Sequence, residues 1–254
     1  DSGSVLVWDG NYLPGPWLVS RALDVASARV AEHGVVTCVI RRSHHIACLA
    51  ALIKQVTDRG LVVMLASSDP ASGFIAPFGG TEPIFTPNPI AIGYPGTEQA
   101  VWIDVSTSIT TVGMTKQKAA ANVHFEHPWL IDAKGIATTD PHVIDPGVGG
   151  TLLPLGGLEY GHKGFGLSLM VEMLTHGLAG FGRPDAEKRW GAGVFLQVMD
   201  PAAFGGRSDF LRQADYTIDR CHANTPIDPA KPVRLPGEMA QKRMREAEQN
   251  GVDV

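Results

Sequence analysis

Two imidazoles able to move a proton near neutral pH, His44 and His45, follow Ser43 at the end of the β-branched run 35–40. A polar corner between a strand and the next helix could present a proton donor there, or it could be a helix start capped by Ser43. Gly161-His162-Lys163-Gly164-Phe165-Gly166 opens a long apolar helical pattern. Backbone N–H groups, the helix dipole and Lys163 would together favour an anion at that turn. The alternative is that these glycines serve only close packing and Lys163 is solvated. Asp104 and Ser106 end an apolar strand, where open α/β sheets bind ligands, although both residues also suit a turn. Glu172 and His176 stand one helical turn apart and read best as a satisfied buried pair. His124-Phe125-Glu126-His127 lacks a helical pattern and a third ligand, so it reads as loop rather than as a metal centre. Neither G-x-G-x-x-G nor G-x-x-x-x-G-K-[ST] occurs, which leaves a Rossmann site unsupported.

These groups must be held by elements that the apolar spacing predicts. Strands are expected at residues 5–8, 35–40, 61–66, 89–94, 101–105 and 194–199, and helices at 16–33, 45–60, 161–180, 207–224 and 236–249. Helix 161–180 carries so many apolar residues that it is expected to be central and buried. Residues 67–88 form a long Pro/Gly/Ser-rich loop of the kind that is usually functional, and 116–150 are expected to be mostly loop. Strands alternating with helices make the chain α/β, without repeats and without a linker dividing it into two cores.

The bulk properties exclude several classes of function. The 254 residues are 44% hydrophobic and carry a formal charge of −5, so no basic field exists to hold a phosphate backbone and nucleic acid is not an expected partner. The longest apolar runs fall far short of the roughly 20 residues of a membrane helix, and the first residues have no leader-like pattern. Cys38, Cys48 and Cys221 are an odd set without paired spacing, which suits a reducing cytoplasm.

Taken in order, eight short motifs resemble the malate/L-lactate dehydrogenase family of the sulfolactate dehydrogenase type. They are Arg41-Arg42-Ser43-His44-His45, Ala76-Pro77-Phe78-Gly79-Gly80-Thr81-Glu82-Pro83, Pro87-Asn88-Pro89, Ile103-Asp104-Val105-Ser106-Thr107-Ser108, Thr138-Thr139-Asp140-Pro141, Leu153-Pro154-Leu155-Gly156, His162-Lys163-Gly164 and Val233-Arg234-Leu235-Pro236-Gly237-Glu238. The resemblance implies a non-Rossmann NAD(P)-binding fold with a mixed sheet and packed helices. It implies reversible hydride transfer between NAD or NADP and the C2 carbon of a small 2-oxo or 2-hydroxy acid, related members reducing cyclic imines, and a homodimer. Cofactor binding maps onto Ala100, Val101, Trp102, Ile103, Asp104, Val105 and Ser106, onto His162 and Lys163, and onto Gly237, Glu238 and Met239. His45 matches the family histidine that lines the substrate and nicotinamide pocket, and no metal is implied. Residues 1–254 are expected to form a single catalytic and cofactor-binding unit. The family's general acid lies in a Ser-His-Gly motif within an N-terminal helical segment, and no such motif occurs here. The chain is therefore expected to lack that segment or to use another donor. Arg42 and His44 stand where the family usually carries Asn. A catalytically impaired nucleotide-binding module is the alternative; a metal-dependent hydrolase using His44, His45, His124 and His127 lacks ligand spacing.

Overall fold

A nine-residue strand built from Val-Val-Thr-Cys-Val-Ile organises the larger sheet of the computed structural model, which describes residues 1–186 and 189–252. This strand, β2 (Val35–Ser43), pairs in parallel with β1 (Val5–Asp9), and helix α1 (Gly15–His33) joins the two. Leu18, Val19, Ala22, Leu23, Ala26 and Val30 recur at helical spacing, and their stripe is the buried face of α1. After β2 come α2 (Leu49–Thr57), β3 (Val62–Ser68), β4 (Ile90–Tyr94), β5 (Val101–Val105) and α3 (Val112–Ala120). The sheet order is β1-β2-β9-β3-β4-β5, with β9 (Ala192–Met199) inserted between β2 and β3 and antiparallel to both. Of the five pairings only β1–β2 is parallel, so the sheet is mixed, unlike the parallel sheet of a doubly wound nucleotide fold.

A second, three-stranded sheet β7-β6-β8 is made by β6 (Leu130–Ile131), β7 (Ala137–Thr138) and β8 (Thr151–Leu152), and covers a separate cluster of Ile75, Phe85, Phe125, Leu130, Val143 and Leu152. The chain then runs through α4 (Gly157–Tyr160), α5 (His162–Glu172), a π-helical turn (Met173–Gly177), β9, α6 (Arg207–His222) and α7 (Glu238–Asn250). Among the described residues no helix is long and apolar enough to cross a membrane.

Two expectations are corrected and a third is refined. Helix α2 starts at Leu49 rather than at residue 45, because Ala47 sits at φ +61°, left-handed backbone that no α-helix contains. The 116–150 region is mostly loop, as expected, but α3 enters it, capped by Thr111, whose Oγ1 accepts the Met114 N–H at 3.1 Å. Its apolar periodicity is weak because Thr115 is the one buried side chain of that helix. The 161–180 helix is not buried all round and its polarity is inverted. Gly164, Ser168, Val171, Glu172, Thr175 and His176 face inward, while Leu169, Met170, Met173 and Leu178 are 39–61% exposed. Apolar content predicted burial here; instead the inward polar groups satisfy one another.

Candidate functional site

The β2–α2 corner is shaped by backbone contacts before any side chain acts. A bulge between Ile40 and Ser43 carries Arg42 at φ +53°, and Asp9 at the end of β1 accepts from Arg42 Nε at 2.9 Å and Arg41 Nε at 3.2 Å. The Arg42 hydrogen bond holds the Asp9 carboxyl down at about 2. Gly15, the first residue of α1, lies so close that a Cβ there would be 2.3 Å from the His44 carbonyl oxygen and 2.4 Å from that of His45. The following imidazole is fixed further. The Ala47 N–H donates to His45 Nδ1 at 3.2 Å, and the Trp190 ring stacks on His45 with centroids 5.2 Å apart and planes at 25°. An Nδ1 that accepts leaves the proton of the neutral ring on Nε2, which becomes a donor.

His45 opens onto a cavity of about 540 Å³. Its walls include Ser67 and Ser68 from the end of β3, Asp69 and Ser72 from the loop after it, Phe74 and Thr86, Thr111 to Gly113 and Lys116 at the start of and within α3, and Trp190. Lys116 has no carboxylate within ion-pair distance among the described residues, and its ammonium lies 5.8 Å from the Phe74 ring centroid. Because a helix's first N–H groups lack intrahelical acceptors, the α3 start adds donors to the same wall. Asp69 is the opposing charge, and it is engaged by the Ala71 N–H at 2.9 Å and the Ser72 hydroxyl at 2.5 Å. The balance suits a small anion.

The other predicted site residues gather about β5 and, among the described residues, do not line this cavity. At the start of β5, Gly237 takes φ +90° and a Cβ on it would be 2.9–3.1 Å from Trp102 atoms, so only glycine lets the turn lie on the strand. Trp102 N–H donates to the Pro236 carbonyl at 3.3 Å, and Gln241 Nε2 to the Ala100 carbonyl at 2.8 Å. Glu238 accepts from Gln99 Nε2 at 3.2 Å and pairs with His222. Burial alone would raise its carboxyl, but the donors around it, His222 foremost, hold it below the ordinary range. Met239 is exposed. At mid-strand, Asp104 Oδ2 accepts the Ala50 N–H at 2.9 Å and so caps α2, tying β5 to the corner that carries His45. At the far end, the Thr107 carbonyl accepts the Leu155 N–H at 2.8 Å and the Leu155 carbonyl accepts the Gly164 N–H at 3.0 Å. That pair of bonds holds the exposed His162 and Lys163 near the strand end. The His162 ring meets Phe78, and Lys163 lies 5.3 Å over Tyr160.

Sequence spacing gave no sign of Lys116 or Trp190. Lys116 lies within a weakly periodic helix, and Trp190 is brought to His45 only because β9 inserts beside β2. Of the other histidines, His124 Nδ1 pairs with Thr139 Oγ1 at 3.2 Å and His127 packs near Trp129.

A family model described as malate/L-lactate dehydrogenase matches residues 1–254. The L-sulfolactate dehydrogenase of Methanothermobacter thermautotrophicus is 26% identical, over 100% of this chain and 72% of its own length. The NADP(+)-dependent (2R)-3-sulfolactate dehydrogenase of Chromohalobacter salexigens is 33% identical, over 80% of this chain and 61% of its own. Among solved structures, a dehydrogenase of Sinorhizobium meliloti superposes with a TM-score of 0.85 at 30% identity, covering 99% of this chain and 73% of that one.

Proposed function

Since the chain belongs to the malate/L-lactate dehydrogenase family, an NAD(P)-dependent group of oxidoreductases acting on small hydroxy acids, we propose that its chemistry takes place in the cavity between His45 and Lys116. The observation that carries this reading is one cavity lined by a fixed imidazole donor, an ammonium without a carboxylate partner among the described residues and a helix N-terminus. A 2-oxo acid offers the matching groups, a carbonyl oxygen and a carboxylate. Lys116 and the α3 N-terminus take the carboxylate. His45 Nε2–H donates to the C2 oxygen, where negative charge develops on reduction. With Nδ1 engaged by Ala47, His45 is suited to orienting and polarising that oxygen rather than to supplying the proton, and the family's Ser-His-Gly acid has no counterpart in residues 1–254.

The donor set about β5 fits a dinucleotide: an exposed cation at Lys163, a glycine turn at Gly237 and the exposed end of an edge strand at Asp104 and Val105. When bound there, NAD(P)H supplies the hydride that reaches C2. Ala100, Val101, Trp102, Ile103, Asp104, Val105 and Ser106 would hold it on one side, His162 and Lys163 would offer donors and charge to its phosphates, and Gly237, Glu238 and Met239 would bound it at the turn. The exposed apolar stripe Leu169, Met170, Met173 and Leu178 supports a homodimer, and free thiols at Cys38, Cys48 and Cys221 suit the cytoplasm.

The test is NADH and NADPH oxidation by the full-length protein with a panel of 2-oxo acids and cyclic imines, and the reverse reaction with the hydroxy acids. Turnover that falls in His45→Ala, with cofactor affinity retained, is expected. Cofactor binding without turnover on any of these substrates would mark the chain as a nucleotide-binding module instead.

A further inference from the structure

Glu172 is 5% exposed and yet both its carboxyl oxygens are surrounded by hydrogen-bonding partners. Burial would raise its carboxyl, but hydrogen bonds from His176 and then Arg183 hold it well below the usual range. Oε1 accepts from Ser68 Oγ at 2.8 Å, Asn88 Nδ2 at 2.9 Å and Arg183 Nη2 at 2.7 Å. Oε2 faces His176 Nδ1 at 2.8 Å and accepts from Arg183 Nε at 3.0 Å. The two partners reach past the carboxylate: His176 Nε2 lies 3.1 Å from the Ser68 carbonyl, and Arg183 Nη1 donates to the Ser72 carbonyl at 2.8 Å. A Cβ on Gly182 or Gly193 would stand 2.8 Å and 2.6 Å from His176 atoms, so the ring is boxed into this pose.

Buried ion pairs add little net stability compared with apolar packing, so stability alone does not account for such a cluster. The bonds that leave it show what it holds. They end on Ser68, the last residue of β3, and on Ser72, in the loop beyond it where no ladder fixes the backbone, and both residues line the cavity beside His45. A second arm runs from Asn88 Nδ2 to the Ser168 carbonyl at 3.3 Å, and from Ser168 Oγ to Thr107 Oγ1 at 2.8 Å, directly beyond β5.

We infer that Glu172, acting through His176 and Arg183, is a positioning residue for the substrate: it sets the Ser68–Ser72 wall of the cavity and registers that wall against the end of β5. The inference rests on the proposed oxidoreductase reading. It is tested in the full-length protein with Glu172→Gln, which keeps the volume but turns a donor toward His176 and Arg183, and with Arg183→Lys, which keeps charge but loses the planar fork that binds Glu172 on two nitrogens and the Ser72 carbonyl on a third. In both variants the KM of the best 2-oxo acid is expected to rise at least tenfold, with kcat within about threefold and the NADH or NADPH dissociation constant within twofold of wild type. Should Glu172→Gln fail to fold, Arg183→Lys decides alone, since its side chain is 23% exposed and its replacement buries no new group. An unmoved KM in a folded variant overturns the inference, as does a parallel loss of KM, kcat, cofactor affinity and melting temperature, which marks a merely structural role. A wild-type protein inert on the whole substrate panel overturns the oxidoreductase reading, and this inference with it.

Discussion

Replacing Gly15 by alanine should disable the site from outside the cavity. The new methyl carbon would stand 2.3 Å and 2.4 Å from the carbonyl oxygens of His44 and His45. Carbon and oxygen settle no closer than about 3.3 Å even in favourable C–H···O contacts, so one partner must retreat by roughly 1 Å. Neither side has a rotamer to relieve the clash, because the obstructing atoms are backbone on both elements. The corner is the softer party, since α1 is locked to the sheet by its buried stripe and residues 44–48 carry no ladder. Overpacking of this kind costs about 1–3 kcal/mol, and a chain of this size loses about 2–4 °C of Tm per kcal/mol. The catalytic effect should be larger: misplacing a positioned group by 1 Å can lower turnover by about 10²-fold. Melting curves and kcat/KM for the best 2-oxo acid, measured alongside the cofactor dissociation constant, separate these effects. Gly205→Ala, where the added carbon meets nothing within 4 Å, is the control. A Gly15→Ala protein with kcat/KM within threefold of wild type and an unchanged Tm would refute the argument that this contact sets His45.

Three further outcomes are expected. Lys163→Ala should weaken NADH or NADPH binding by roughly 1.5–3 kcal/mol, the scale of a charge-assisted hydrogen bond, read by cofactor fluorescence titration; an unchanged dissociation constant would remove Lys163 from the site. Lys116→Glu should raise the KM of acid substrates much more than Lys116→Met does, because it opposes the carboxylate as well as losing the ammonium; equal KM values in the two variants would place that carboxylate elsewhere. The Glu172 carboxyl is depressed in the folded state, so its contribution to stability is full above the ordinary carboxylate range and is lost as pH falls below it. The Tm gap between wild type and Glu172→Gln should therefore be widest near neutrality and close in acid, as followed by thermal melts across pH.

The residues that determine this protein locally do so through short-range rules that need no neighbours. The apolar spacing of Leu18, Ala22, Val25 and Val30 with Gly34 behind it makes α1, and the β-branched run 35–40 makes β2, because period and stop signal are properties of the chain itself. The eight motifs in order carry the family, and with it the mixed fold that no periodicity could reveal. Tertiary structure decided where polarity faces. Glu172 and His176 turn inward and Met173 outward, since Arg183, Ser68 and Asn88 arrive from other segments to satisfy the buried charge. It also decided what surrounds His45. Trp190 reaches the imidazole only because β9 enters the sheet between β2 and β3, and Lys116 only because α3 packs at the cavity mouth. A cavity is a sum of long-range approaches, and each depends on the whole sheet order rather than on any stretch of sequence.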